Sequence, residues 1–210
     1  MKYFELENYE VTSNGIVKQI KKQKYPYSEE YNNEYNKHGI LNDQISFLRL
    51  GFIIGSIKRI PKNILDIGYG NGAFLKACNT IISKSYGFDV TNYPVPEKSE
   101  KIFNIYENHF DVVSLFDCLE HWENIYELKK IKCNYVIISV PNLKAKSAEE
   151  FLNWKHYKPN EHLWYFNEES LIAFFNEIGF DLIEITNLED AIRKSSDDEP
   201  NILTACFKKI

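Results

Sequence analysis

Apolar residues fall into short runs over 63–67, 85–89, 111–116, 134–140, 180–186 and 202–208, each bounded by polar or glycine-containing segments. Runs of this length predict strands. Between them, apolar positions recur at helical spacing over 71–82, 124–131 and 167–178. This alternation predicts parallel strands joined by crossover helices, an α/β fold. The last helix has the plainest boundaries: Asn167 is placed to cap it, Phe166 and Leu171 to staple its first turn, and Gly179 to end it. Ahead of the first strand, Ile45, Leu48, Phe52, Ile53 and Ile57 predict an amphipathic helix over 42–59, capped at Asn42-Asp43 and stopped before Pro61. Between residues 89 and 110 the chain is short, and only 101–105 offers a strand there. The polar run 193–200 predicts the exposed turn of a final hairpin.

Composition narrows the class. The 210 residues, 44% hydrophobic, suit one domain with a substantial core. A net charge of −5 argues against a chain built to hold a nucleic-acid backbone. The basic run 18–24 reads as a solvated face. Cys78, Cys118, Cys133 and Cys206 form no C-x-x-C pair, so neither a zinc site nor a disulfide framework is expected. The start of the chain lacks the basic and apolar regions of a signal peptide, and no apolar stretch is long enough to span a bilayer. These features together predict a cytoplasmic protein with no membrane partner.

The chemistry concentrates in Ile64-Leu65-Asp66-Ile67-Gly68-Tyr69-Gly70-Asn71-Gly72-Ala73, where a strand runs into an acid and three alternating glycines before a helix. Glycines allow backbone torsions and close approaches that a side chain would block, and the helix that follows offers free N–H groups. The glycines also fit G-x-G-x-x-A, the dinucleotide pattern, so on their own they leave a nicotinamide cofactor open. Asp66 tips the balance. A carboxylate at the strand's mouth repels a pyrophosphate and attracts an ammonium or sulfonium, by about 4 kcal/mol for a unit pair at roughly 4 Å and an effective dielectric of about 20. Asp89 ends the next strand about 20 residues on, the separation used for ribose recognition in adenosyl-cofactor folds.

The order acid-x-Gly-x-Gly-x-Gly, with a second acid at the next strand end, resembles the first two motifs of the class I S-adenosylmethionine-dependent methyltransferases. The resemblance covers residues 62–210 and implies a Rossmann-like three-layer sandwich whose seven-stranded, mostly parallel sheet has an antiparallel last strand. It further implies S-adenosyl-L-methionine as cofactor, with Asp66, Gly68, Gly70 and Gly72 around its methionyl part, Asp89 on its ribose, and Tyr69 and Asp117 as further cofactor-binding residues. Residues 1–61 would form an extension covering the cofactor site, ahead of a single globular methyltransferase domain. Tyr27, Tyr31 and Tyr35, four residues apart, would share one helix face in that extension, either docking it on the core or reaching the substrate through Tyr31.

The strand at 111–116 is followed by Asp117-Cys118-Leu119-Glu120-His121-Trp122, at the end that faces the ligand crevice in open α/β sheets. Leu119-Glu120-His121 resembles the fourth-strand motif of the branch acting on small molecules, sugars and quinone precursors. No Asn/Asp-Pro-Pro-Tyr motif and no Pro-Cys nucleophile is present, so DNA is not an expected partner. His121, with an ordinary pKa of about 6.5, is the candidate general base for a hydroxyl acceptor. Asp117, Glu120 and His121 also resemble the E-x-x-E-H metal site of some quinone-precursor and RNA-end O-methyltransferases, which implies Mg²⁺ or a similar divalent ion and a further histidine from elsewhere in the chain. The aromatic and polar stretch 143–166 is expected to shape the acceptor pocket, with His162 and Trp164 as substrate-binding candidates. The expected activity is methyl transfer to a small molecule or saccharide, at oxygen. The alternatives are a NAD-dependent oxidoreductase sharing the glycine loop, and a binding protein that keeps the fold without turnover.

Overall fold

The computed structural model describes residues 6–22, 39–91, 93–193 and 200–210. The tyrosine stripe with Tyr31, the end of the basic run and the turn expected over 193–200, apart from its two end residues, lie outside the described residues.

Two short strands, β1 (Tyr9–Val11) and β2 (Val17–Gln19), form an antiparallel hairpin. Helix α1 (Gly39–Ile57) follows, beginning three residues earlier than its apolar pattern suggested. The core then alternates as expected: β3 (Ile64–Ile67), α2 (Ala73–Cys78), β4 (Ser85–Phe88), β5 (Ser99–Lys101), β6 (His109–Phe116) and β7 (Lys132–Pro141). After it come α3 (Ala148–Leu152), β8 (Trp164–Tyr165), α4 (Glu168–Glu177), β9 (Phe180–Thr186), α5 (Asp190–Arg193) and β10 (Ile202–Lys209).

The main sheet has seven strands in the order β5-β4-β3-β6-β7-β10-β9. β10 runs antiparallel to both its neighbours, while β3 to β7 are mutually parallel. The central strands β6 and β7 are buried along most of their length, as parallel strands covered on both faces must be. One face packs Leu65, Ile67, Val113, Leu115 and Val136 with α4, where Phe175 stacks on Phe207 at 3.9 Å. The other face packs Ile64, Val112, Phe116 and Ile137 against Leu50, Ile53 and Ile57 of α1 and Phe74 of α2. Each such side chain contributes about 1.5–3 kcal/mol by leaving water.

The α4 boundaries follow the sequence: Asn167 and Ser170 form a reciprocal capping box, and Gly179, at φ +85°, ends the helix. The helix expected over 124–131 is a 3₁₀ helix, Ile125–Lys130, capped by Asn124. The edge strand expected over 101–105 lies instead at Ser99–Lys101. Ile102 and Ile105 are buried where the chain leaves the sheet, so their hydrophobicity reports packing rather than pairing. The β4–β5 connection holds no helix among its described residues; Pro96 packs over Gly72 in its place.

The N-terminal hairpin pairs with β8 to make a second, three-stranded antiparallel sheet. Among the described residues no helix is long and apolar enough to cross a membrane.

Candidate functional site

The glycine loop leaves β3 through residues that only glycine accommodates easily. Gly68, Gly70 and Gly72 have φ of +77°, +52° and +77°. A Cβ on Gly68 would stand 2.9 Å from Cys118 Sγ, so the loop is pressed against the segment that follows β6. The Gly68 N–H donates to Phe88 O at 2.7 Å, tying the loop to the end of β4. Asp89 completes the tie, its carboxylate accepting from the Gly70 N–H at 2.9 Å and the Thr91 N–H at 2.8 Å. A carboxylate has about four lone-pair sites, so capacity for hydroxyl donors remains. Tyr69 is buried, and its hydroxyl donates to Tyr93 O.

Asp66 faces the α1 side of the sheet and is 3% exposed. Burial raises its pKa to about 7, against the opposing effects of the Ser114 hydroxyl, which donates to it at 2.8 Å, and the charge of Arg49. Arg49 pairs with Asp117 and Glu189, so among the described residues this buried carboxyl group has no ion-pair partner, and an ammonium fits that need. The left-handed glycines, the open space beside Gly70 and the remaining acceptor capacity of Asp89 fit an adenosyl amino acid in the same way.

β6 lies beside β3 in parallel register, Asp66 opposite Ser114, so the segment after β6 emerges next to the glycine loop. Asp117 turns the chain out of the strand at φ +49°, a conformation uncommon for a non-glycine residue. Its carboxylate is held by Arg49 at 3.0 Å and Arg193 at 2.8 Å. Glu189, fully buried, takes Arg49 at 2.7 Å and Arg193 at 3.1 Å, which makes a charge-balanced quartet from α1, α5, the chain just before α5 and the end of β6. Burial alone would raise the Asp117 pKa, but the two guanidiniums outweigh it and hold the carboxyl well below its usual range.

Beyond this turn a short 3₁₀ helix, Leu119–His121, presents Glu120 and His121 to His162. The two imidazole rings meet edge to face at 4.8 Å between centroids. His121 Nδ1 lies 2.9 Å from Glu161 O, and His162 Nδ1 lies 3.0 Å from His156 O. A carbonyl only accepts, so each Nδ1 carries the hydrogen and each Nε2 the lone pair. Glu120 is 1% exposed, and neither of its carboxyl oxygens has a partner. Burial, then the charge of Asp117, raises its pKa well above the usual carboxylate range. Burial lowers both histidines, His162 to about 3 with help from His121 and Lys158.

The structure thus brings Asp66, the glycines, Tyr69 and Asp89 to one end of β3 and β4, and places His121, Glu120 and His162 at the same end of β6. It separates Asp117 from the metal grouping suggested by spacing, because its carboxylate is engaged by the two arginines, and puts His162 in its place. Trp164 is 4% exposed; its indole N–H donates to Trp122 O at 2.7 Å and Lys18 lies over its ring. Arg49, Glu189, Arg193 and Ser114 escaped sequence reasoning. Their only signal is a charged or polar residue at a position that apolar periodicity assigns to the interior.

A family described as "Methyltransferase domain" matches residues 40–185. Comparison with curated proteins returns no match. Among solved structures, a chain in complex with the Haloferax volcanii Trm112 methyltransferase activator superposes at TM-score 0.60 and 11% identity, covering 89% of this chain and 99% of that one. Burkholderia thailandensis 1,6-didemethyltoxoflavin-N1-methyltransferase, solved with 1,6-didemethyltoxoflavin and S-adenosylhomocysteine, gives 0.59 at 11% identity, covering 96% and 99%. The N-terminal domain of EvdMO1 with S-adenosylhomocysteine bound gives 0.56 at 14% identity, covering 82% and 84%. The family match removes the nicotinamide-oxidoreductase alternative: the chain belongs to the methyltransferase-domain family and is a class I S-adenosylmethionine-dependent methyltransferase.

Proposed function

We propose that the enzyme methylates an oxygen of a small-molecule or saccharide acceptor, with His121 as the group that receives the acceptor's proton. The observation that carries this reading is the convergence of His121, Glu120 and His162 at the end of β6, next to the glycine loop on β3. His121 is the half-buried member of the three and so the one open to an acceptor. Burial lowers its pKa, so the ring is neutral at pH 7 and its Nε2 lone pair is available. In this reading Asp66, Gly68, Tyr69, Gly70 and Gly72 enclose the methionyl part of the cofactor and Asp89 holds the ribose. Asp117 acts by fixing the exit of β6 rather than by touching the cofactor. His162 lines the acceptor side, with Trp164 behind it.

Bound S-adenosylmethionine supplies an electrophilic methyl carbon on a sulfonium. The acceptor oxygen forms its bond to that carbon as the C–S bond breaks, the electron pair stays on sulfur, and the hydroxyl proton passes to His121. Small-molecule neighbours support the acceptor class: one was solved with 1,6-didemethyltoxoflavin and another in the presence of D-fucose.

The first of these is an N1-methyltransferase, which makes nitrogen the second reading. An acceptor nitrogen with a free lone pair needs no base. His121→Ala separates the two: for an oxygen acceptor turnover falls about 10²- to 10⁴-fold, the usual worth of general-base catalysis, while S-adenosylhomocysteine affinity is unchanged. Turnover within a few-fold of the wild type would eliminate His121 as base.

A further inference from the structure

We infer that the outer face of α1 is a self-association surface, on which a second copy of this chain packs its own α1 antiparallel about a two-fold axis at Gly51. The inference stands on α1 alone and is independent of the acceptor and of the role of His121.

The composition of the helix is the starting point. Gly39–Ile57 holds two charged residues, Asp43 and Arg49, and Arg49 is turned inward to Asp117 and Glu189. Leu50, Ile53 and Ile57 face the sheet. A surface helix ordinarily carries charged and polar residues opposite that stripe, and a helix apolar on all sides is ordinarily buried on all sides. Here Asp43, Phe47, Gly51, Ile54 and, just past the end, Lys58 follow one another at steps of three or four residues, which places them on one face. Phe47 is 54% exposed, Asp43, Gly51 and Lys58 are exposed, and Ile54 is half-buried. A Cβ built on Gly51 would meet nothing within 4 Å, so the middle of this face is open to a neighbour.

The pattern along the face names the occupant. Its two ends carry opposite charges, Asp43 and Lys58, about 22 Å apart along the axis at roughly 1.5 Å per residue. An antiparallel copy centred on Gly51 sets each Asp43 level with the partner's Lys58, so one interface forms two ion pairs. The same operation sets Phe47 level with the partner's Ile54. Glycine at the crossing point lets the backbones approach to about 8 Å, the close end of helix-packing distances. A two-fold contact uses the same patch on both copies, so the patch must complement itself, and this one does in charge and in shape. One helix pair buries less than the roughly 1,200–2,000 Å² of a standard interface, so the dimer dissociates in the micromolar range.

The test is sedimentation velocity of the full chain across roughly a 100-fold concentration range, with S-adenosylhomocysteine calorimetry on every variant as the check on folding. The expected result is a reversible monomer–dimer equilibrium that Phe47→Glu weakens at least 10-fold. Asp43→Lys and Lys58→Glu should each weaken it about 10-fold by setting like charges opposite one another, and the double variant should restore it. Gly51→Gln should melt about 2–4 °C higher as a monomer, because glutamine favours the helix, while dimerising at least 10-fold more weakly. A role confined to the fold of one chain would not separate those two effects. Wild-type protein that is monomeric throughout overturns the inference and leaves the face to another occupant, an unrelated protein or the segment that precedes α1. A dimer indifferent to Phe47→Glu and Gly51→Gln also overturns it, since the interface then lies elsewhere. A double charge variant that stays as weak as the single ones overturns the antiparallel arrangement.

Discussion

Asp66 offers the sharpest test of the cofactor end of the site, because its two roles pull stability and binding in opposite directions with pH. Burial raises its folded pKa from 3.8 to about 7. The folded state therefore holds a proton that the unfolded state has lost between those values, and stability falls as pH rises through that window. The full difference is about 4 kcal/mol, at roughly 1.36 kcal/mol per unit, and is reached above pH 7. Cofactor binding has the opposite sign: only the ionised carboxylate attracts the ammonium. The apparent Kd for S-adenosylhomocysteine should rise about 10-fold from pH 8 to pH 6 and about 10-fold more by pH 5, with nearly one proton released per ligand bound at pH 6. Asp66→Asn keeps an acceptor for Ser114 and removes the charge. It should be more stable than the wild type at pH 8, bind about 10- to 100-fold more weakly there, the worth of a hydrogen bond to a charged group, and lose the pH dependence of both properties. Urea unfolding and calorimetry in buffers of different ionisation enthalpy measure these quantities. A pH-independent Kd without proton release, or wild-type binding by Asp66→Asn, would refute the reasoning.

Other residues report on the frame. Asp111 takes two hydrogen bonds from Arg59, at 2.5 and 2.7 Å, and one from the Lys62 N–H, and these hold its pKa below the usual range. Its contribution is present above the unfolded carboxylate pKa of about 4 and is lost as pH falls through the lower folded value, so Asp111→Ala should cost roughly 2 kcal/mol at pH 7 and progressively less toward pH 2 in urea unfolding, discounted because Arg59 is partly exposed. Gly68→Ala places a Cβ at φ +77°, 2.9 Å from Cys118 Sγ, and should lose S-adenosylhomocysteine binding by calorimetry. Gly55→Ala, inside α1 with nothing within 4 Å of the new Cβ, should instead stabilise the protein by about 0.5–1 kcal/mol in thermal unfolding.

The contrast between those two glycines shows what the sequence made legible. A local rule covers the glycine loop, the capping box at Asn167 and the alternating strands, since each depends on residues a few positions apart. The edge strand shifted because Ile102 and Ile105 are apolar for packing reasons, and a three-residue strand leaves no period to read. The β1–β2 hairpin was missed for the same reason; its strands of three residues are ordered by pairing with β8, about 145 residues away in sequence. Distance along the chain also hid the quartet of Arg49, Asp117, Glu189 and Arg193. D-x-x-E-H spacing suggested that Asp117 faces the same way as Glu120 and His121. Its φ of +49° and the two arginines turn it elsewhere, and His162, arriving from the 143–166 segment, takes the third place.

Following the transferred methyl group tests the central claim most directly. The purified enzyme would be incubated with S-adenosylmethionine labelled in its methyl group and a panel of hydroxylated small molecules and saccharides, and the labelled atom located by mass spectrometry and NMR. The account predicts label on an acceptor oxygen, with transfer lost in His121→Ala while S-adenosylhomocysteine still binds. Label on nitrogen or carbon, or full transfer by His121→Ala, would contradict it.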